Sequence, residues 1–540
     1  MMNKFIVTLY SHKLRRAYIY ILISLMCIKF PYPLQGVTDI PLLIMALFGG
    51  LYLICDLFIE RKFCKTKYFY LLFAGCIIFL VSLIANFDNN WIKNLRGLSF
   101  TIIFYLILFN SNYGSDDTEI KRELFNVSKI IIFSTFIFSV FSIIFVFLNM
   151  TIVFNNFFGQ ISYIGWESGK NFGIYGNSNQ MGLVSTFSAA ISIILLTSNK
   201  NISKKLKIFI VTNVVIQIIA LLSGGSRGYF IQLVVFISIF LFSGCLIKYR
   251  INIKSIIFAI SGMVISTVVL LLFSMITQGI AIINIGTYMV DASKPLEGIK
   301  VSYIDNSKEQ LSLSSKTTTV ERLIDGALIQ KDTQKDTQKD TTKDTSKDTP
   351  KDTPKNAKSD IQVKTQDYGS GRIKLWKAGV EVFLKHPLIG AGLYGLEDSI
   401  RDESTYFEGC TKEYIDSNYI HWFSMHNDFL QAFVSNGILG GTTYILFFIF
   451  ISIFILKKVI INIMFPQNDS VLLTGLFAFY ISILVSSLVA YVLFFNVGGS
   501  AAIFWLYLGY AIYFAQNNKS QNVIQKINQQ NVVSEVKAVE

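Results

Sequence analysis

The stretch SMHNDFLQAFVSNG, residues 424–437, places a histidine, His426, and an acid, Asp428, directly before a long apolar run. A helix beginning there would set His426 at its N-terminus, where the positive end of the helix dipole disfavours an imidazolium. A neutral imidazole can take a proton from a hydroxyl, while Asn427 or Asp428 orients the ring or caps the helix. The bland alternative is a plain helix-start histidine. A second candidate is Arg227, in the glycine-rich turn SGGSRGYF at residues 223–230. An arginine at membrane depth costs on the order of 2.5–3.5 kcal/mol, so its presence calls for a role unless it snorkels to the interface. A third is Arg372, at the start of RIKLWKAGVEVFLK. In YGNSNQMG, residues 175–182, Asn177 or Asn179 is suited to cap a helix.

These residues need elements to position them, and composition says which. Of 540 residues, 52% are hydrophobic and only 15% charged. A soluble chain of this size would divide into several cores and carry more charge. Spanning a hydrocarbon layer takes about 20 mostly apolar residues. The sequence predicts twelve such blocks, centred on 17–30, 40–59, 68–85, 98–109, 130–148, 181–196, 208–222, 229–247, 256–276, 429–456, 471–495 and 501–514. The first follows Lys13, Arg15 and Arg16 like a signal peptide, but Pro31-Tyr32-Pro33 replaces a cleavage site, so it is expected to remain as a helix. The expected fold class is an all-α polytopic membrane protein: nine helices in residues 1–277, an outward loop over 278–425, three helices in 426–516 and a tail over 517–540.

Cations orient the bundle. With the N-terminus inside, inward segments hold 23 Lys and Arg, against five outward: Lys29, Lys93, Arg96, Lys170 and Arg227. The remainder fall in the long loop, which does not vote on orientation. Both termini are therefore expected in the cytoplasm. The net charge of +13 is mostly an inner-leaflet signature, and no clustered basic domain points to nucleic acid. Only Cys410 of six cysteines lies outward and no CxxC spacing occurs, so neither a disulfide frame nor a zinc ribbon is expected.

Within the loop, six KDT units begin at Lys331 and repeat every four residues. Their charges cancel and nothing apolar recurs, so residues 331–355 are expected to be a disordered spacer. Over residues 371–386, Ile373, Trp376, Val380, Phe383 and Leu384 recur at helical spacing. This predicts an amphipathic helix lying along the outer membrane surface, stopped at Pro387. Gly390-Ala391-Gly392-Leu393-Tyr394-Gly395 fits GxGxxG, but it follows a helix and a proline rather than a strand. It therefore reads as a glycine turn returning the chain towards the bilayer, not as a dinucleotide site.

The signatures GNSNQ, GGSRG, SGRIKLWKAGVEVFLKHPLIGAGLYG and HNDFLQAFVSNGILGG occur in that order between Asn177 and Gly441. Together they resemble the O-antigen ligase and O-antigen polymerase superfamily of bacterial envelope glycosyltransferases. The resemblance implies about twelve helices in a GT-C-like arrangement, with a large extracytoplasmic loop late in the chain. It also implies transfer of a glycan from an undecaprenyl pyrophosphate carrier to an acceptor hydroxyl, on the outer face of the bacterial cytoplasmic membrane. The acceptor would be a glycan, a lipid or a protein. The KDT tract departs from the family pattern as an insertion that leaves the flanking motifs intact.

Arginine stays charged and pairs bidentately with phosphate, so Arg227 and Arg372, with Arg96 as a possible third, suit a departing pyrophosphate. His426 is then the candidate base. Nothing in the sequence requires a metal or cofactor: no DxD-type pair stands out in the ordered outward segments, and His421, His426 and Asp428 lack the HExxH spacing. A flippase or transporter of lipid-linked glycans is the rival class. Transporters often carry inverted repeats with paired broken helices, and no such internal pairing is visible here. Ligase and polymerase differ only in acceptor, and the sequence does not choose between them.

Overall fold

The computed structural model describes residues 12–59, 64, 67–87, 91–110, 116–155, 161–167, 170–199, 201–249, 257, 260–261, 264, 286–291, 300–305, 372–407, 424–467, 469–490, 492–493 and 498–517. In chain order the elements are α1 (His12–Ile28), α2 (Asp39–Ile59), α3 (Phe69–Ala85), α4 (Trp91–Ile103) with a π-helical turn at Phe104–Leu108, and α5 (Asp117–Leu148). Strands β1 (Met150–Asn155), β2 (Ile161–Glu167) and β3 (Lys170–Gly173) follow, then α6 (Ser178–Ser198), α7 (Lys204–Gly224) and α8 (Arg227–Tyr249). The rest are β4 (Gly286–Asp291), β5 (Lys300–Asp305), α9 (Arg372–Lys385), α10 (Leu396–Glu403), α11 (Asp428–Met464), α12 (Ser470–Ser487) and α13 (Gly499–Gln516). Residues Met1–Ile304 and Gly371–Glu540 form one unit and Asp305–Ser370 a second.

Eleven of the twelve apolar blocks coincide with a helix. Among the described residues, eight helices are long and apolar enough to cross a bilayer: α2, α4 with its π turn, α5, α6, α7, α8, α11 and α12; α3 is a shorter apolar helix. The ninth block, 256–276, lies almost wholly outside the described residues, as do the KDT tract, Cys410, His421 and the tail beyond 517. Burial explains the helices that read as apolar all round. Residues Gly499 to Ala515 of α13 are buried without exception, whereas α2 leaves Ile40, Leu43, Ile44 and Leu47 uncovered for hydrocarbon to solvate. Polar side chains inside the bundle bond across helices: Asn213 on α7 donates to Ser188 and Ser192 on α6, and Ser139 on α5 donates to Gln217.

The fold is mostly helical, consistent with the all-α expectation, with one addition. A five-stranded sheet, in the order β3-β2-β1-β4-β5, stands between the helices. β1 pairs antiparallel with β2 and parallel with β4, placing Thr151 opposite both Gly165 and Met289. A left-handed Asn149 ends α5, and Gly165, at φ +121°, sits at the bulge between β2 and β3, where a Cβ would lie 2.3 Å from the Met150 carbonyl oxygen. Strands of four to seven residues beside long apolar blocks leave little mark on a hydropathy profile.

Helix α9 packs Trp376 and Phe383 of the apolar stripe partly against its neighbours. Leu375, Ala378, Gly379 and Val382 are covered, in a small core with Met425 and Val434, while Ile373, Val380 and Leu384 stay exposed. Neighbouring α11 accounts for this. Its N-terminal end and the residues before it offer Val434 and Met425 to this face, where Ala378 and Gly379 permit close approach; a Cβ on Gly379 would lie 2.5 Å from Met425 Sδ.

Helix α11 is broken at Gly437, whose φ of +64° and ψ of −168° are not helical. The glycine turn after α9 fills the break. Ala391 and Gly392 donate to the carbonyls of Val434 and Ser435, and Ile438 donates to Pro387. A Cβ on Gly390 would lie 2.3 Å from the Ser435 carbonyl carbon, and one on Gly437 2.2 Å from Leu388. Both contacts admit only glycine. From α3, Ser82 Oγ donates to the Ser435 carbonyl and Asn86 Nδ2 to the Gly390 carbonyl, fixing the turn from outside.

Candidate functional site

Three helix starts, those of α8, α9 and α11, meet the short segment that follows α12. Arg372, the first residue of α9, donates from Nη1 to the Val489 carbonyl at 2.8 Å. Asn427, just before α11, donates from Nδ2 to the Leu488 carbonyl at 3.0 Å. Asp428 is fully buried and accepts from the Val492 and Leu493 amides at 3.0–3.1 Å. At the start of α8, a Cβ on Gly228 would lie 3.6 Å from Val489. Asn179, at the start of α6, accepts from Ser226 Oγ at 2.9 Å and so holds the turn that carries Arg227.

The roles of the two asparagines and the acid are thereby distinct. Asn177 caps α6, its side chain accepting from the Asn179 amide at 2.7 Å. Asn427 caps α11, accepting from the Leu430 amide at 2.9 Å. Asp428 anchors residues 492–493 to the head of α11, so it is Asn427 and not Asp428 that supplies the expected cap.

His426 precedes that cap, with its backbone in the left-handed region at φ +49°. Burial pushes its imidazole down to about 4, and the charge of nearby Arg372 adds to the shift. The ring is therefore neutral at physiological pH and able to accept a proton. His386, in the proline turn, pairs instead with Glu403 at 2.9 Å.

The arginines divide. Arg227 is exposed and makes no side-chain hydrogen bond or ion pair among the described residues. Arg372 is half-buried and bonds a carbonyl, which leaves its charge without a carboxylate partner among the described residues. Arg96 is committed elsewhere: it forms an ion pair with Asp39, which also holds Lys29 at 3.3 Å. No described contact brings Arg96 to Arg372 or His426. Arg372 therefore keeps its charge near the neutral imidazole of His426, and no described contact ties Arg227 to either.

Sequence reasoning missed three participants. Segment 488–493 lies at the end of an apolar block and carries no motif. Gln431 and Trp376, which grip the loop before His426, read as parts of a helix face. Gln431 had a usable signal, being an amide inside a long apolar run. Among the described residues, no group of three His, Cys, Asp or Glu is placed to hold a metal.

A family model described as O-antigen ligase matches residues 212–445. That range contains Arg227, Arg372 and His426 to Asp428, and leaves out Arg96, Asn177 and Asn179. No curated protein matches the chain.

Proposed function

Residues 212–445 belong to the O-antigen ligase family, and on that premise we propose that the protein moves a glycan from an undecaprenyl pyrophosphate carrier to an acceptor hydroxyl at the outer face of the bacterial cytoplasmic membrane. Glycan transfer of the ligase or polymerase type is what the family does in general. The observation that carries the finer reading is a neutral His426 beside an arginine whose charge no described carboxylate answers.

The steps follow from the chemistry of those groups. His426 accepts the proton of the acceptor hydroxyl as its oxygen attacks the anomeric carbon. The bond from that carbon to the pyrophosphate oxygen breaks, and undecaprenyl pyrophosphate leaves with the electron pair. Arg227 and Arg372 hold the departing charge, their planar forks matching phosphate oxygens in pairs. Asn427 and Asp428 keep the head of α11 against residues 488–493, so base and cations share one frame. Arg96, bound to Asp39, stands apart from this set.

The test uses purified protein in detergent, with lipid-linked glycan extracted from a strain that lacks the protein. Transfer is expected to proceed with EDTA present and to fail in His426→Ala. Near-normal turnover by that variant would overturn the base assignment. Comparing glycan chain length and attachment in the deletion strain distinguishes polymerase from ligase.

A further inference from the structure

We propose that Gln431 and Trp376 are positioning residues that fix the imidazole of His426 at the site; this rests on the reading of His426 as the base. Neither side chain is used in the transfer step. Both bind Met425, the residue before the histidine, and from opposite sides. Gln431 is fully buried, and its Oε1 accepts from the Met425 amide at 2.7 Å while its Nε2 donates to Ser435 Oγ at 2.8 Å. Trp376 Nε1, from α9, donates to the Met425 carbonyl at 2.6 Å.

The backbone N–H and C=O of one residue are thus each held by a side chain from a different helix. His426 also donates its own amide to Ser424 Oγ at 3.0 Å, and on its other flank Asn427 is tied to Leu488 and Leu430. Left-handed backbone at a histidine is sparsely populated, and it persists where the surroundings over-determine it. Fixing Met425 and Asn427 does this. Glutamine suits the position because one amide supplies an acceptor for Met425 and a donor for Ser435 without placing a charge in the bundle. The pair also couples α9 to α11, so Arg372 and His426 keep their spacing.

A base displaced by about 1 Å can lose on the order of 10²-fold in rate without weakening ground-state binding. The experiment compares Gln431→Leu, Gln431→Glu and Trp376→Phe with the parent protein in detergent. Turnover is followed with lipid-linked glycan from a strain lacking the protein, binding with undecaprenyl pyrophosphate as probe, and exposure of the ring by diethylpyrocarbonate labelling of His426, read by mass spectrometry. Gln431→Leu should lower kcat on the order of 10²-fold, leave probe binding unchanged and speed labelling of His426. Trp376→Phe, which keeps the ring packing, should show the same signature at smaller size. Gln431→Glu, which keeps an acceptor for Met425 but loses the donor to Ser435, should retain more activity than Gln431→Leu and label His426 more slowly than that variant.

Parental kcat and labelling in both Gln431→Leu and Trp376→Phe would overturn the proposal. So would losses of kcat and probe binding in parallel with unchanged labelling. His426→Ala is measured alongside: if it turns over normally the base reading has failed, whereas the labelling rates still report whether the two residues hold the loop.

Discussion

At His426, burial and a neighbouring cation act on the same ring in the same direction, and this makes the pH dependence specific. An imidazole held at about 4 stays neutral well below the usual histidine range. Transfer should therefore be flat from about pH 5.5 to 8 and fall only as the pH approaches 4. A rate that halves near pH 6.5 would show an unshifted histidine. His426→Ala should cost roughly 10²–10⁴-fold in kcat with little change in donor binding, and His386→Ala, whose ring faces Glu403, should be milder. Lysine at Arg227 or Arg372 keeps the charge but loses the fork, so neither Arg→Lys variant should recover full turnover. His426, Arg227 and Arg372 stand out in the sequence because each lies in a polar or glycine-rich motif next to an apolar or amphipathic run. The roles of Asp428 and Arg96 do not. Asp428 answers to Val492 and Leu493, more than 60 positions on, and Arg96 to Asp39 in another helix. Local sequence carries no record of such partners.

Among the elements, long apolar helices announce themselves, since 17 or more residues of one character leave few alternatives. The sheet and the buried face of α9 did not, for different reasons. Strands β1 to β3 are too short for periodicity to accumulate, and β4 pairs with β1 across more than 100 residues. On α9 the apolar stripe drew attention to Ile373, Val380 and Leu384, which stay exposed, while the shallow face of Ala378 and Gly379 that packs on its neighbour carries no periodic signal. The break in α11 yields a graded prediction. Gly437→Ala and Gly390→Ala each drive a Cβ into backbone at a left-handed position, so both should lose most folded protein, measured as monodisperse yield and thermal midpoint in detergent. Gly225→Ala meets nothing within 4 Å but has φ +65°, and should cost about 1 kcal/mol. Gly50→Ala, in open space on α2, should be neutral or mildly stabilising. Equal behaviour of all four would refute the account of the break.

For the molecule as a whole, the cation count expects a reporter inside the KDT tract to be accessible from outside, and one fused after Lys519 to be protected. A cytoplasmic signal from the tract would invert the assignment and move the site with it. Deleting residues 331–355 should leave glycan transfer largely intact, because no apolar periodicity ties that segment to a core; loss of transfer at normal protein levels would refute this. One feature of α11 then bears on how substrate arrives. At about 1.5 Å per residue the 27 residues after its break, 438–464, extend about 40 Å, whereas the hydrocarbon layer is about 30 Å thick. The nine residues outside the break add about 13 Å to a segment that already spans the layer. On the proposed transfer, His426 then meets the polyprenyl donor in the plane of the lipid phosphates. Encounter becomes a search in two dimensions, and the governing quantity is donor per unit of membrane area. Diluting proteoliposomes with buffer should leave the rate per enzyme unchanged, and fusing them with empty lipid should lower it.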